Sequence, residues 1–157
     1  MPGEIYLTKE GYEKLRNELE RLKGKERVRI ATTIHEARML GDISENADYD
    51  AAKEAQAHNE AKIAELESKL AIARIIDNQD IPTDQIFIGA KVTIKDLDTD
   101  EAIEYTLVSI EEANYEEGKI SIQSPVGKAL MGKKKGDEIS VNVPAGVLKY
   151  KIQKIGR

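Results

Sequence analysis

Gly41-Asp42-Ile43-Ser44-Glu45-Asn46 interrupts a long helical pattern and sets two carboxylates three positions apart. On either side apolar residues recur at helical spacing for about 30 residues, so the interruption reads as the tip of a hairpin. The side that follows the tip is the more regular. Tyr49, Ala52, Gln56, Asn59, Ile63, Leu66, Leu70 and Ala73 advance in steps of three and four without error, which is the a/d seam of a coiled coil. Gln56 and Asn59 are amides inside that seam, a placement that fixes register and partner number at some cost in stability.

The side that precedes the tip opens at Thr8, whose hydroxyl suits an N-cap, with Leu7 and Tyr12 in the positions of a hydrophobic staple. Its seam runs Tyr12, Leu15, Leu19, Leu22, falters after Gly24 through Lys25-Glu26-Arg27, and resumes at Ile30, Ile34, Ala37 and Met39 or Leu40. The reading is one long helix ending near Leu40 with a mild irregularity around Gly24. A six-residue turn between two such helices forces them antiparallel. The N-terminal half is then an intramolecular coiled coil roughly 45 to 50 Å long, at about 1.5 Å per residue.

Asp77-Asn78-Gln79-Asp80-Ile81-Pro82-Thr83-Asp84 ends the second helix with turn formers and a proline. Beyond it the hydrophobic period changes to two. Expected strands are Ala90 to Lys95, Ala102 to Ile110, Lys119 to Gln123, Glu138 to Val143 and Leu148 to Ile155, with one short helix over Pro125 to Met131 closed by Gly132. The fold class is α+β. Residues 1–77 are expected to form the hairpin with its acidic tip at 41–46, 78–84 a linker, and 85–157 a small, mostly antiparallel β domain.

Composition narrows the function. The 157 residues are 40% hydrophobic and 34% charged, the balance of a soluble chain with long solvated helices. Net charge is −5, with 13 basic against 16 acidic residues through Asp77 and 11 against 13 beyond it, so neither half is a basic module that clamps phosphates. Cysteine is absent, which excludes disulfides and thiolate metal sites and suits a reducing cytoplasm. A signal peptide and an apolar run long enough to span a bilayer are both lacking, so no membrane role is expected. His35 and His58 lie on opposite helices with no third imidazole in metal-binding spacing.

Three stretches carry a resemblance. The tip and its flanks, Glu36-Ala37-Arg38-Met39-Leu40-Gly41-Asp42-Ile43-Ser44-Glu45-Asn46-Ala47-Asp48-Tyr49 followed by Ala51-Ala52-Lys53-Glu54, resemble the tip signature of the Gre family of bacterial transcript cleavage factors. Thr8-Lys9-Glu10-Gly11-Tyr12 with Leu15, and Ser124-Pro125-Val126-Gly127-Lys128-Ala129-Leu130-Met131-Gly132, are similar to its opening and C-terminal motifs. The similarity spans essentially the whole chain.

The resemblance implies an antiparallel coiled coil and an FKBP-like β domain that both work on bacterial RNA polymerase, in a cytoplasmic and monomeric protein. The β domain would hold the rim of the polymerase secondary channel. The hairpin would reach down that channel to the nascent RNA 3′ end of a backtracked complex and stimulate the polymerase's own hydrolysis of it. Asp42 and Glu45 fall on the family's two acidic tip positions. Ser124, Pro125, Val126, Gly127 and Leu130 fall on the motif whose loop docks on the polymerase, although the same residues read equally as core at a strand-helix junction. Arg27, Arg29, Arg38 and Asn46 are the candidates for contact with extruded RNA or the channel wall. The competing account of the arginines is a solvated helix face paired with nearby acids.

Hydrolysis by two metal ions favours oxygen ligands, and carboxylates suit Mg²⁺. Asp42 and Glu45 are expected to complete a loose Mg²⁺ site that the polymerase itself holds; two carboxylates alone bind the ion weakly, so the isolated chain is not an enzyme. Spacing by itself leaves another account open: Asp42 as N-cap of the second helix and Glu45 reaching back from N3 make a capping box. Other functions compatible with the pattern are a channel-binding protein that modulates polymerase without cleavage, a prolyl isomerase built on the β domain, and a dimerising coiled coil. The isomerase needs an aromatic-lined pocket, for which the β half offers only Phe87, Tyr105, Tyr115 and Tyr150.

Overall fold

Three consecutive steps of four, from Leu22 to Glu26, Ile30 and Ile34, give the first helix one residue more than an alternating seam allows. The helix absorbs it by widening. In the computed structural model, which describes residues 4–42 and 45–157, α1 (Lys9–Arg21) passes into a π-helical turn at Leu22–Glu26 and on into α2 (Arg27–Met39). The extra residue therefore costs no register: Leu22, Ile30, Ile34 and Ala37 are all buried. Gly24 sits inside the widened turn, where a Cβ would meet nothing within 4 Å.

The returning helix, α3 (Ala47–Ala71), buries Ala52, Asn59 and Ile63. Lys23 pairs with Glu67, Arg27 with Glu60, and Ala37 accepts a hydrogen bond from Asn46, so partner numbers fall as the first helix advances and the two helices are antiparallel. The interior is thin, with Tyr49 packed on a cluster of Ile30, Ile34 and Ala52. Each such isoleucine stabilises the hairpin by about 1.5–3 kcal/mol. Asn59, 5% exposed, donates through Nδ2 to the Leu22 carbonyl at 3.1 Å, inside the π turn. Its seam partner Gln56 instead accepts from the exposed Lys53 Nζ at 2.9 Å. The polar seam residue thus locks the register of this chain against itself.

Two expectations for the hairpin are corrected. The seam does not continue to Met39 or Leu40, which are 74% and 71% exposed, because α2 ends at Met39 before the next seam position is reached. Nor does the seam of the returning helix reach Ala73, which lies in a strand beyond the helix end at Ala71; and the alternative that Asp42 caps that helix falls to Asn46.

The β unit comprises Glu4–Gly11 and Arg74–Arg157, and the hairpin unit Tyr12–Ala73. The segment before α1 was expected within the hairpin; instead β1 (Ile5–Leu7) pairs with β2 (Ala73–Ile75), extended by Ile76 N–H donating to the Leu7 carbonyl at 2.8 Å. Leu7 is fully buried, and the β1–β2 pairing holds it there. Glu112 accepts from the Thr8 backbone N–H at 2.9 Å and from its hydroxyl, while that hydroxyl accepts from Gly11 N–H at 3.0 Å and caps α1. At Gly11 a Cβ would lie 2.2 Å from the Glu112 carboxyl, so a side chain there would have to push Glu112 off Thr8.

Five further strands follow: β3 (Lys91–Asp96), β4 (Ala102–Val108), β5 (Lys119–Ser121), β6 (Glu138–Val143) and β7 (Gly146–Gly156). They form one sheet in the order β5-β4-β3-β7-β6, antiparallel throughout except for the parallel β4–β5 pair. That parallel return is made by two 3-10 turns, Ile110–Glu112 and Tyr115–Glu117, and leaves through Gly118 at φ +72. The short helix α4 (Pro125–Leu130) contributes fully buried Leu130 to a core shared with Val92, Ile94, Leu107 and Ile152.

The segment 78–84 is tied to this unit rather than being a free connector. Ile81 is 4% exposed and belongs to the β core, where Gly89 makes room for it; a Cβ at Gly89 would meet Ile81 Cδ1 at 2.7 Å. Arg157 Nη1 donates to the Gln79 carbonyl at 2.9 Å. No helix among the described residues is long and apolar enough to cross a membrane.

Candidate functional site

The end of the hairpin is built by the conflict between two helix termini. The last carbonyls of α2 and the first amides of α3 lack partners within their own helices. Asn46 answers both. Its backbone is extended at φ −96 and ψ 99, its Oδ1 accepts from Tyr49 N–H at 3.1 Å, and its Nδ2 donates to the Ala37 carbonyl at 2.5 Å. Gly41 turns the chain away from α2 at φ +132, a conformation that other residues rarely adopt.

With Asn46 as N-cap, the N3 position of α3 is Tyr49. The capping box is therefore not formed by Asp42 and Glu45, because the helix begins four residues later than that account requires. Both carboxylates are exposed, and they line one surface concavity of about 400 Å³ together with Leu40, Asn46, Ala47 and Asp48. Ile43 and Ser44, between them in the tip, lie outside the described residues. Asp48 was not singled out from the sequence. Its signal is its place in the first turn of α3, where a carboxylate complements the positive end of the helix.

Two carboxylates in a shared concavity can supply part of the octahedral oxygen shell of Mg²⁺. Among the described residues no group of three or more His, Asp or Glu is placed to hold a metal. A tightly held ion therefore needs ligands from elsewhere.

The basic residues are engaged within the hairpin. Arg27 forks onto Glu60 with two 2.8 Å bonds, and Arg29 bonds Glu26 at 2.5 Å. The Arg27 guanidinium holds the Glu60 carboxyl below its usual range, as Arg29 does for Glu26. A phosphate reaching Arg27 would have to displace a bidentate carboxylate. Arg38 stacks its guanidinium 5.7 Å from the Tyr49 ring centroid, so it also braces the tip. Asn46, expected as a contact to RNA or channel, has both ends of its amide committed inside the chain.

The motif at 124–130 divides in two. Ser124 caps α4, its hydroxyl donating to the Ser121 carbonyl at 2.6 Å and accepting from Gly127 N–H at 3.1 Å. Leu130 is 0% exposed, and Gly127 is buried so tightly that a Cβ would lie 2.0 Å from the Ser121 carbonyl oxygen. These two serve the core and offer no contact surface. Pro125 is exposed, Ser124 and Val126 are half-buried, and those three remain for a partner.

Comparison with known proteins agrees with this anatomy. Residues 5–75 match the family described as "Transcription elongation factor, N-terminal", and residues 81–157 match "Transcription elongation factor, GreA/GreB, C-term". The chain is 50% identical over 155 residues to transcription elongation factor GreA of Chloroherpeton thalassium, covering 99% of this chain and 98% of that one. It is 52% identical over 153 residues to GreA of Chlorobaculum parvum, covering 97% and 96%. Among solved structures, GreA factor homolog 1 (Gfh1) of Thermus thermophilus is 32% identical, with 99% and 100% of the two chains covered and a TM-score of 0.45.

Proposed function

The chain belongs to the GreA/GreB family of transcription elongation factors, and from that premise we propose that it binds bacterial RNA polymerase and stimulates cleavage of the backtracked nascent RNA in the polymerase active centre. The β unit holds the rim of the secondary channel, with Ser124, Pro125 and Val126 in the contact. The hairpin enters the channel, and its tip brings Asp42 and Glu45 beside the RNA 3′ end. The factor works in the cytoplasm as a monomer and is a cofactor rather than a catalyst on its own.

One observation carries this reading: Asp42 and Glu45 are both exposed and line one concavity at the end of the hairpin, beside a helix α3 whose cap is Asn46. Their oxygens would complete the loosely held Mg²⁺ site of the polymerase. The bound ion would supply charge neutralisation at the scissile phosphate and a more acidic water. What the chain contributes is position: two carboxylates delivered on a stalk, with an anionic concavity facing the incoming water. Arg27 and Arg29 hold Glu60 and Glu26 in exposed ion pairs, so RNA phosphates would reach them by exchanging those partners.

The test uses arrested elongation complexes with saturating factor. Asp42→Asn and Glu45→Gln remove charge while keeping size. Each is expected to reduce stimulated cleavage by about 10- to 100-fold, the range for losing a group that orients a metal site, with melting unchanged. A wild-type factor that leaves arrested transcripts uncut, while still competing for the channel, would establish the non-cleaving modulator instead.

A further inference from the structure

Asn46 hydrogen-bonds both ends of the tip. Its amide oxygen accepts from Tyr49 N–H in the first turn of α3, and its amide nitrogen donates to the carbonyl of Ala37 in the last turn of α2. The Asn46 side chain therefore ties together the two ends of the stretch that carries both acids. Ala37 is 3% exposed, so its carbonyl belongs to the packed part of the hairpin rather than to the fraying end. The Arg38 guanidinium over the Tyr49 ring lies beside the same junction.

Capping alone does not require asparagine. Serine, threonine and aspartate supply the acceptor as well. Only asparagine among the good caps also carries an N–H₂ donor at that reach. The second bond has nothing to do with starting α3; it spans nine residues to the opposite helix. We propose that Asn46 is a positioning residue for the acidic pair, its amide stapling the end of α2 to the start of α3 so that Asp42 and Glu45 stand at a set distance and orientation. This inference rests on the cleavage function proposed above. A carboxylate that must complete a metal site on another protein tolerates little play, of the order of 0.5 Å. A rigid stalk is of no use if its tip is loosely closed.

The decisive variants keep the cap and remove the staple. Asn46→Ser and Asn46→Asp both retain an acceptor for Tyr49 N–H, and neither retains the donor for Ala37. With arrested complexes and varied factor concentration, both are expected to lower the maximal stimulated cleavage rate by about 10-fold while changing the half-saturating concentration less than about 2-fold. Asn46→Ser leaves the charge unchanged and Asn46→Asp adds a negative one, so the same loss in both is the signature of a missing donor. A backbone ¹⁵N relaxation measurement on the free protein reads the staple without polymerase. Order parameters at Asp42 and Glu45 are expected to drop toward about 0.6 in both variants while Tyr49 stays near 0.85.

Maximal cleavage unchanged in either variant, with wild type active, overturns the proposal. So do tip order parameters that do not move. If wild type itself fails to stimulate cleavage, the functional reading falls, and the proposed role of Asn46 in placing the acids for cleavage falls with it. The relaxation data then still decide whether the amide orders the tip.

Discussion

Replacing Asn59 with alanine removes one hydrogen bond that the hairpin cannot remake. The Asn59 amide is 5% exposed and donates to the Leu22 carbonyl at 3.1 Å, within the widened turn of the first helix. Losing the bond to that buried carbonyl costs about 1–3 kcal/mol, and the space vacated beyond Cβ adds about 1 kcal/mol. A loss of about 2–4 kcal/mol in a unit of fewer than 100 residues lowers its melting midpoint by about 10 °C or more. Gln56→Ala is the control, because that side chain bonds only the exposed Lys53 and its removal is expected to cost under about 0.5 kcal/mol. The measurement is urea and thermal unfolding of the full chain by far-ultraviolet circular dichroism, where the long helices dominate the signal. Deleting Gly24 supplies a second arm: it restores alternating steps of three and four, returns the Leu22 carbonyl to an ordinary helical ladder, and should make Asn59→Ala markedly less costly. Equal destabilisation by Asn59→Ala and Gln56→Ala would refute the reasoning.

Two glycines should respond oppositely to alanine. Gly24→Ala, with open space at its Cβ and an ordinary helical conformation, is expected to stabilise the hairpin by about 0.5–1 kcal/mol, whereas Gly127→Ala drives a methyl to within 2.0 Å of the Ser121 carbonyl and should destabilise the β unit by more than about 2 kcal/mol in the same unfolding experiment. Tyr105 is pushed up to about 12, first by burial and then by its hydrogen bond with Tyr115. A raised folded value means that this contribution to stability is intact below the ordinary tyrosine value near 10 and is lost as pH rises toward about 12. Tyr6 and Tyr150 are also raised, so ultraviolet titration of phenolate should show several late-ionising tyrosines, with the component near 12 lost in Tyr105→Phe.

The hairpin was legible because its information is periodic. Steps of three and four from Tyr49 to Leu70 pick out the seam residues of α3, although the last expected one, Ala73, falls in β2, and the three successive fours after Leu22 already contain the extra residue that becomes a π turn. The β strands were legible for the same reason, with period two and glycine-bearing turns, and most boundaries fall within a residue or two. The pairing of β1 with β2 was not, since two three-residue strands separated by the whole hairpin leave no local trace. Leu130 was misassigned because a short helix after a strand looks alike whether its apolar residue faces a core or a partner.

The sequence by itself determined the two-part architecture, the antiparallel hairpin and the presence of two acids at its tip, because hydrophobic period and turn chemistry act over a few neighbouring residues. Tertiary structure alone decided which tip residue caps α3. Asp42 and Asn46 are both good caps by local preference, and the choice fell to Asn46 because a carbonyl on the opposite helix, at Ala37, rewards an amide donor and offers nothing to a carboxylate.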